Sequence, residues 1–276
     1  MKLFKKVAIV GVGLIGGSIA LAIKKNRLAD EVVGVCRSKE TLLLARRMKA
    51  VDLISRDLEI IKGADLLIMA APVGMIIRSA PEISRIIGRD CLVTDVGSTK
   101  KEIVLKLEKI FPNFVGSHPM AGSEKRGVAN ASPGIFKGSL CILTPTRNTK
   151  RSALLKISKL WAKLGSRVTV VTPSAHDKIL SLVSHLPHLA AFCLIDIIPD
   201  DFLKFGSNGL KDTTRIASSE AEVWKDIFIS NRRPILEAIE RFQKRLSAVR
   251  SALRKKDLKF LEKVLVGAKK KRDSLK

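Results

Sequence analysis

The chain has no tyrosine, and aromatic residues make up only 4% of it. Proteins that hold single-stranded nucleic acid stack its bases on aromatic faces, so a chain this poor in them has little to offer such a partner. No nucleic-acid-binding module is recognisable in it. Acidic residues are scarce as well, 26 against 51 lysines and arginines, which leaves a formal charge of +25. That field favours anionic partners without naming one, because the charge is spread along the chain and is densest at the lysine-rich C-terminus. Solubility is the reading we adopt for most of it.

Cysteine is sparse too. Cys36, Cys91, Cys141 and Cys193 form no C-x-x-C pair, and three of them sit in apolar runs, so reduced, buried thiols in a cytoplasmic protein are expected. Internal repeats and low-complexity linkers are missing. The apolar run 179–198 is interrupted by His185, Pro187, His188 and Asp196, which argues against a bilayer span and for a buried helix bent at the proline. The start "MKLFKK" followed by "VAIVGVGLIGGSIALAI" mimics a secretory signal, but four glycines in seven residues at fixed spacing serve a strand–turn–helix, not a signal.

What is present is a globular chain of 276 residues, 46% hydrophobic, long enough for two domains. Up to about residue 170, short apolar runs alternate with amphipathic stretches such as 38–50 and 99–110. Nearly continuous apolar strands spaced by helices predict a doubly wound, mostly parallel α/β sheet of the Rossmann type over 1–173. From 174 to 276 the pattern is all helical, and Ile235, Ile239, Phe242, Leu246, Val249 and Leu253 step by four and three, a helix-pairing seam. Its partner is another helix of the chain or a second subunit, and a homodimer through this helical domain is expected.

The strand "KVAIV" runs into Gly11, Gly13 and Gly16, a G-x-G-x-x-G that opens an apolar helix. The first glycine permits the turn, the second lets the backbone meet a pyrophosphate, and the third lets helix and strand approach. The amides of Leu14, Ile15 and Gly16 then form the anion site of the helix N-terminus. Pro72 and Val73, in "APVGM", fall where a second loop would line the same cofactor. At the end of the second strand an NAD site would offer a carboxylate, whereas this chain offers Cys36, Arg37 and Ser38, with Asp30 and Glu31 ahead of the strand. A guanidinium can bind a 2′-phosphate, so NADP is favoured; if Arg37 only stacks on adenine, NAD is accepted as well.

"GSHPMAGSE" (116–124) puts His118 in a stretch too broken for helix or strand, held by Pro119 and flexed by Gly116 and Gly122. An unshifted imidazole titrates near 6.5 and is mostly free to accept a proton at neutral pH. His185 and His188 lack a third ligand in a recognised spacing, so no metal is expected.

"GSHPMAGSE", "TDVGSTK", "SHLPHLAAF" and "GLKDTTRIASSEAEVWKDIFISN", behind the glycine fingerprint, resemble the prephenate and arogenate dehydrogenase family of tyrosine biosynthesis, over Val7 to about Asn231. The resemblance implies an NAD(P)-dependent oxidative decarboxylation of a small cyclohexadienol. His118 would be the catalytic base, and Ser98 would bond the reacting hydroxyl, although Ser98 or Thr99 could equally cap the following helix. Arg215 would bind a substrate carboxylate, held by Glu124, Asp212 and His176. Asp212 could instead cap its own helix. Lys211, reaching in from a partner subunit, Trp224 and His188 would flank the substrate, and His188 is associated with prephenate over arogenate. Arogenate, and another β-hydroxyacid-type oxidation using Lys178 or Lys211, are the alternative reactions. With no room seen for a fused regulatory or mutase domain, feedback through one is not expected. Neither a nucleic acid nor a membrane is expected as a partner.

Overall fold

The computed structural model describes residues 2–121 and 127–275. Its centre is a sheet of eight strands: β1 (Phe4–Val10), β2 (Ala29–Val35), β3 (Leu53–Ser55), β4 (Leu66–Met69), β5 (Leu92–Asp95), β6 (Phe114–Pro119), β7 (Leu140–Thr144) and β8 (Arg167–Val170). Their order is β3-β2-β1-β4-β5-β6-β7-β8, parallel except where β6 meets β7. The expected doubly wound sheet is therefore present, with β3 added at its edge, a three-residue strand with no apolar run to announce it.

Successive residues point to opposite faces, and both faces are buried. On β1, Val7 and Ile9 join one core while Ala8 joins the other; on β4, Leu66 and Ile68 oppose Leu67 and Met69. The first core is closed by α1 (Leu14–Lys25), α2 (Lys39–Arg47) and, further along the chain, a helix over Arg151–Lys163. The second is closed by α3 (Val73–Ile86) and α4 (Lys101–Leu107). The Arg151–Lys163 helix is α5.

After β8 the described chain is helical: α6 (Pro173–Leu180), α7 (Leu186–Asp196), α8 (Asn208–Thr214), α9 (Ala221–Ser230), α10 (Arg232–Lys255) and α11 (Leu258–Asp273). A π-helical stretch, Ser181–His185, joins α6 to α7 in one continuous helix, Pro173–Asp196, and Pro187 lies just past that stretch. The run 179–198 is less buried than expected. Leu180, Ser181, His185 and Ala191 are inside, while Leu182, Val183, Leu194 and Ile197 are exposed. Cys193 is likewise exposed, against the expectation of buried thiols; Cys91 and Cys141 are buried and Cys36 half-buried. The seam on α10 divides, Ile235 packing within the chain while Phe242, Leu246 and Leu253 face outward.

Candidate active site

Gly11 adopts φ +99°, and a Cβ there would lie 2.2 Å from the Ala70 carbonyl oxygen, so glycine is required at the turn. At Gly16 a Cβ would lie 2.0 Å from the Gly11 carbonyl oxygen, which is the close helix–strand approach. Gly13 faces open space, with nothing within 4 Å of where its Cβ would stand. Among the described residues no side chain caps α1, so its first amides can meet an anion, and Gly13, Leu14 and Ile15 are half-exposed beside it. This cradle fits a dinucleotide pyrophosphate.

At the end of β2, Arg37 is exposed and its guanidinium donates to the Met75 sulfur at 3.3 Å, spanning towards α3 behind Pro72 and Val73. Ser38 caps α2, accepting from the Thr41 N–H at 3.1 Å and donating to Glu40 at 2.7 Å. That hydroxyl, then the backbone, hold the Glu40 carboxyl below its ordinary range, with Lys39 and Arg56 adding to it. Arg56, just past β3, is a cation the sequence reading missed. Asp30 and Glu31 lie inside β2, not ahead of it, but still at its far end.

His118 is on a strand, not in a loop. It pairs with Ile142 across the antiparallel β6–β7 ladder, and Pro119 is tolerated because it ends the strand. Nor is Gly116 a hinge: a Cβ there would lie 2.5 Å from Thr144 Oγ1 and 2.8 Å from Val104 Cγ2. Thr94 pairs with Val115, so both His118 and Ser98 stand beyond that level, over the C-terminal ends of the parallel strands where such sheets bind ligands.

The imidazole is almost fully buried. Its Nδ1 lies 2.8 Å from His176 Nε2, and His176 Nδ1 lies 2.8 Å from Asp177 Oδ1. Asp177 in turn accepts from the backbone N–H of Lys100 at 2.7 Å and of Lys101 at 2.9 Å. Neither Ser98 nor Thr99 therefore caps α4; the cap is a carboxylate from α6, and Thr99 bonds Ser230 instead. The Ser98 hydroxyl makes no hydrogen bond among the described residues and is left half-buried. Burial, then His176, Lys100 and His185, hold His118 well below the ordinary imidazole value, in place of the unshifted value expected.

His176 thus serves His118 and does not hold Arg215. Asp212 lies in the last turn of α8, not at a helix start, and forms no ion pair with Arg215 among the described residues. Gly122 and Glu124 lie outside the described residues. Arg215 begins a short 3-10 turn that packs on α7, and its charge, after burial, lowers the proton affinity of His188. Lys211 is exposed on α8.

From Asp177 a polar path continues into the helical half. The Asn231 amide donates to the Asp177 carbonyl at 2.8 Å and to His185 Nδ1 at 2.9 Å. His185 meets Trp224 edge-on, and His188 stacks on the same indole at 3.8 Å between centroids. All four histidines of the chain lie on this one path. Neither His185 nor His188 is arranged as a ligand pair, each ring being engaged by an amide, an indole or, for His188, the Ser184 carbonyl.

A glycine-turn cradle at the switch point of a doubly wound sheet, with a buried imidazole over the same C-terminal edge, is an arrangement suited to a dinucleotide-dependent oxidoreductase. The sequence model of the prephenate dehydrogenase nucleotide-binding domain matches residues 19–170, and that of the prephenate dehydrogenase dimerization domain matches 172–266. The chain is 33% identical to the prephenate dehydrogenase of Bacillus subtilis, over 98% of this chain and 76% of the relative. It is 30% identical to the cyclohexadienyl dehydrogenase of Zymomonas mobilis, over 100% and 98%. Among solved structures, prephenate dehydrogenase from Aquifex aeolicus with hydroxyphenyl propionate and NAD+ superposes with a TM-score of 0.94 at 33% identity, covering 99% of this chain and 98% of that one. The chain belongs to the prephenate dehydrogenase family of NAD(P)-dependent oxidoreductases.

Proposed function

We propose that this protein oxidises prephenate to 4-hydroxyphenylpyruvate and carbon dioxide in the cytoplasm, as a homodimer, with His118 as the base. The observation that carries the reading is the His118–His176–Asp177 chain. The Asp177 carboxylate accepts only, so His176 donates from Nδ1 and accepts at Nε2. His118 must then donate from Nδ1, which leaves the lone pair of its Nε2 for a substrate hydroxyl. Burial keeps that ring neutral at physiological pH.

Gly11, Gly13, Leu14, Ile15, Gly16, Pro72 and Val73 hold the dinucleotide, which when bound accepts hydride from the carbinol carbon. His118 takes the hydroxyl proton as the carbonyl forms. The bond to the ring carboxylate then breaks to release carbon dioxide, its electrons aromatise the ring, and the phenolate oxygen takes the proton back from His118. Ser98, with its unused hydroxyl, orients the same oxygen. Arg215 binds a carboxylate of the substrate. His188 and Trp224 form the wall beside the side-chain keto acid, which supports prephenate over arogenate, and Lys211 reaches a neighbouring site from the exposed α8. Arg37, Lys39 and Arg56 outnumber Glu40 at the end of β2, which favours NADP over NAD.

The test is purified protein with prephenate or arogenate and NAD+ or NADP+, followed by absorbance of the reduced nicotinamide. The fastest reduction is expected with prephenate and NADP+; no reduction with either substrate would overturn the reading.

A further inference from the structure

Lys100 is the largest charged side chain that the described fold buries completely, and Asp95 beside it is as inaccessible. The Lys100 ammonium bonds Asp95 Oδ2 and donates to the Ser117 carbonyl at 2.8 Å, the residue before His118. Asp95 also accepts from the Gly97 N–H at 2.8 Å, at the start of the loop that carries Ser98. The backbone N–H of the same lysine bonds Asp177, and Asp177 leads through His176 back to His118. Lys100 therefore closes a ring of contacts: side chain to Ser117, chain to His118, imidazole to His176, Asp177, and back to the lysine main chain.

Stability explains this pair poorly. Taking two charges out of water costs more than their attraction commonly returns, and apolar replacement of a buried ion pair is often neutral or stabilising. Geometry explains it better, because one ammonium fixes a strand carbonyl, a turn carboxylate and a helix start relative to each other. We propose that Lys100, with Asp95, is a positioning residue for the reaction: it holds the Ser98 loop and the His118 strand in register and sets the orientation and charge environment of the His118 imidazole. This rests on the reading of His118 as base.

The charged groups that act on that ring are His176 from α6, Lys100 ahead of α4 and His185 from the π-helical turn; Asp177 and Asp95 act on His176 behind it, and Cys141 on β7 meets the His118 main chain. Burial is the main cause of its low proton affinity, and His176 and then Lys100 add to it. Removing the pair takes away the lysine contribution, so the imidazole protonates at higher pH.

A lone Lys100→Met would strand the Asp95 charge, so the test uses Asp95→Asn/Lys100→Met. Thermal melting, kcat, KM for each substrate and the pH profile of kcat/KM are measured. Nitrogen NMR reads the His118 tautomer, which is tractable with four histidines. The expected double variant melts within a few degrees of the parent, keeps its dinucleotide KM and loses kcat about tenfold or more, on the scale of a misplaced catalytic group. Its acidic limb moves to higher pH and its His118 shows both tautomers. Parental kcat with an unmoved limb and a single tautomer would overturn the proposal; so would failure to fold, which would make the pair a core element. A parent protein silent toward prephenate would sink the functional reading alone, since the tautomer is read without substrate.

Discussion

Nδ1 of His118 lies 2.8 Å from Nε2 of His176, and that contact joins the sheet to the helical half of the molecule. The joint is reinforced twice by carboxylates from the helical half. Asp177 binds the first amides of α4, and Asp226 on α9 accepts from the Gly74 N–H of α3 at 2.8 Å. Each places a negative charge on the positive end of a helix that covers the sheet. The crevice is thereby closed from one side by groups that also orient its base, and rigid support of this kind is what a catalytic constellation needs.

His118→Asn removes the proton acceptor while keeping a side chain of similar polarity. Turnover is expected to fall by about two orders of magnitude or more, with dinucleotide affinity nearly unchanged. Steady-state kinetics with both substrates varied would check this, and undiminished turnover would remove His118 from its role.

Arg37→Asp places a carboxylate where the 2′-phosphate of NADP is expected to lie. The ratio of kcat/KM for NADP+ over NAD+ should drop by about tenfold or more, the loss expected of a charge-assisted contact turned repulsive. An unchanged ratio would mean that the phosphate is held elsewhere, with Arg56 the next candidate.

His185 is pushed down to about 4, chiefly by burial. Between about 6.5 and 4 the unfolded chain binds a proton that the folded chain does not, so stability falls as pH falls through that window and the loss is complete below it. A depression of that size corresponds to roughly 3 kcal/mol. Urea midpoints measured across the window should decline, and the His185 resonances should titrate near pH 4; titration near 6.5 would refute the assignment.

Phe242, Leu246 and Leu253 are 40%, 52% and 61% exposed along one face of α10, in the segment that matches the dimerization domain. Leu246→Glu/Leu253→Glu should convert a dimer to monomer in sedimentation, because burying two carboxylates against apolar surface is strongly unfavourable. A dimer of unchanged mass would move the interface elsewhere.

Much of the sheet could be read directly. Apolar runs reported the strands because both faces are buried, and the glycine spacing reported the turn because sterics at Gly11 and Gly16 admit nothing larger. Edges escaped: β3 is too short to show a pattern, and β6 extends through His118 only because β7 lies beside it. The roles of His176, Asp177 and Asn231 were hidden for another reason. Each acts on a residue 46 or more positions away, and no local signal carries such a pairing.

The sequence alone determined that a dinucleotide turn opens a parallel α/β sheet and that a helical half follows, since hydrophobic period and glycine sterics are local properties of the chain. Only the tertiary structure decided which nitrogen of His118 keeps its lone pair, what caps α4, and that a buried lysine stands behind the site. Those depend on proton donors and acceptors brought together across domains, and on the loss of water around them, neither of which is written in neighbouring residues.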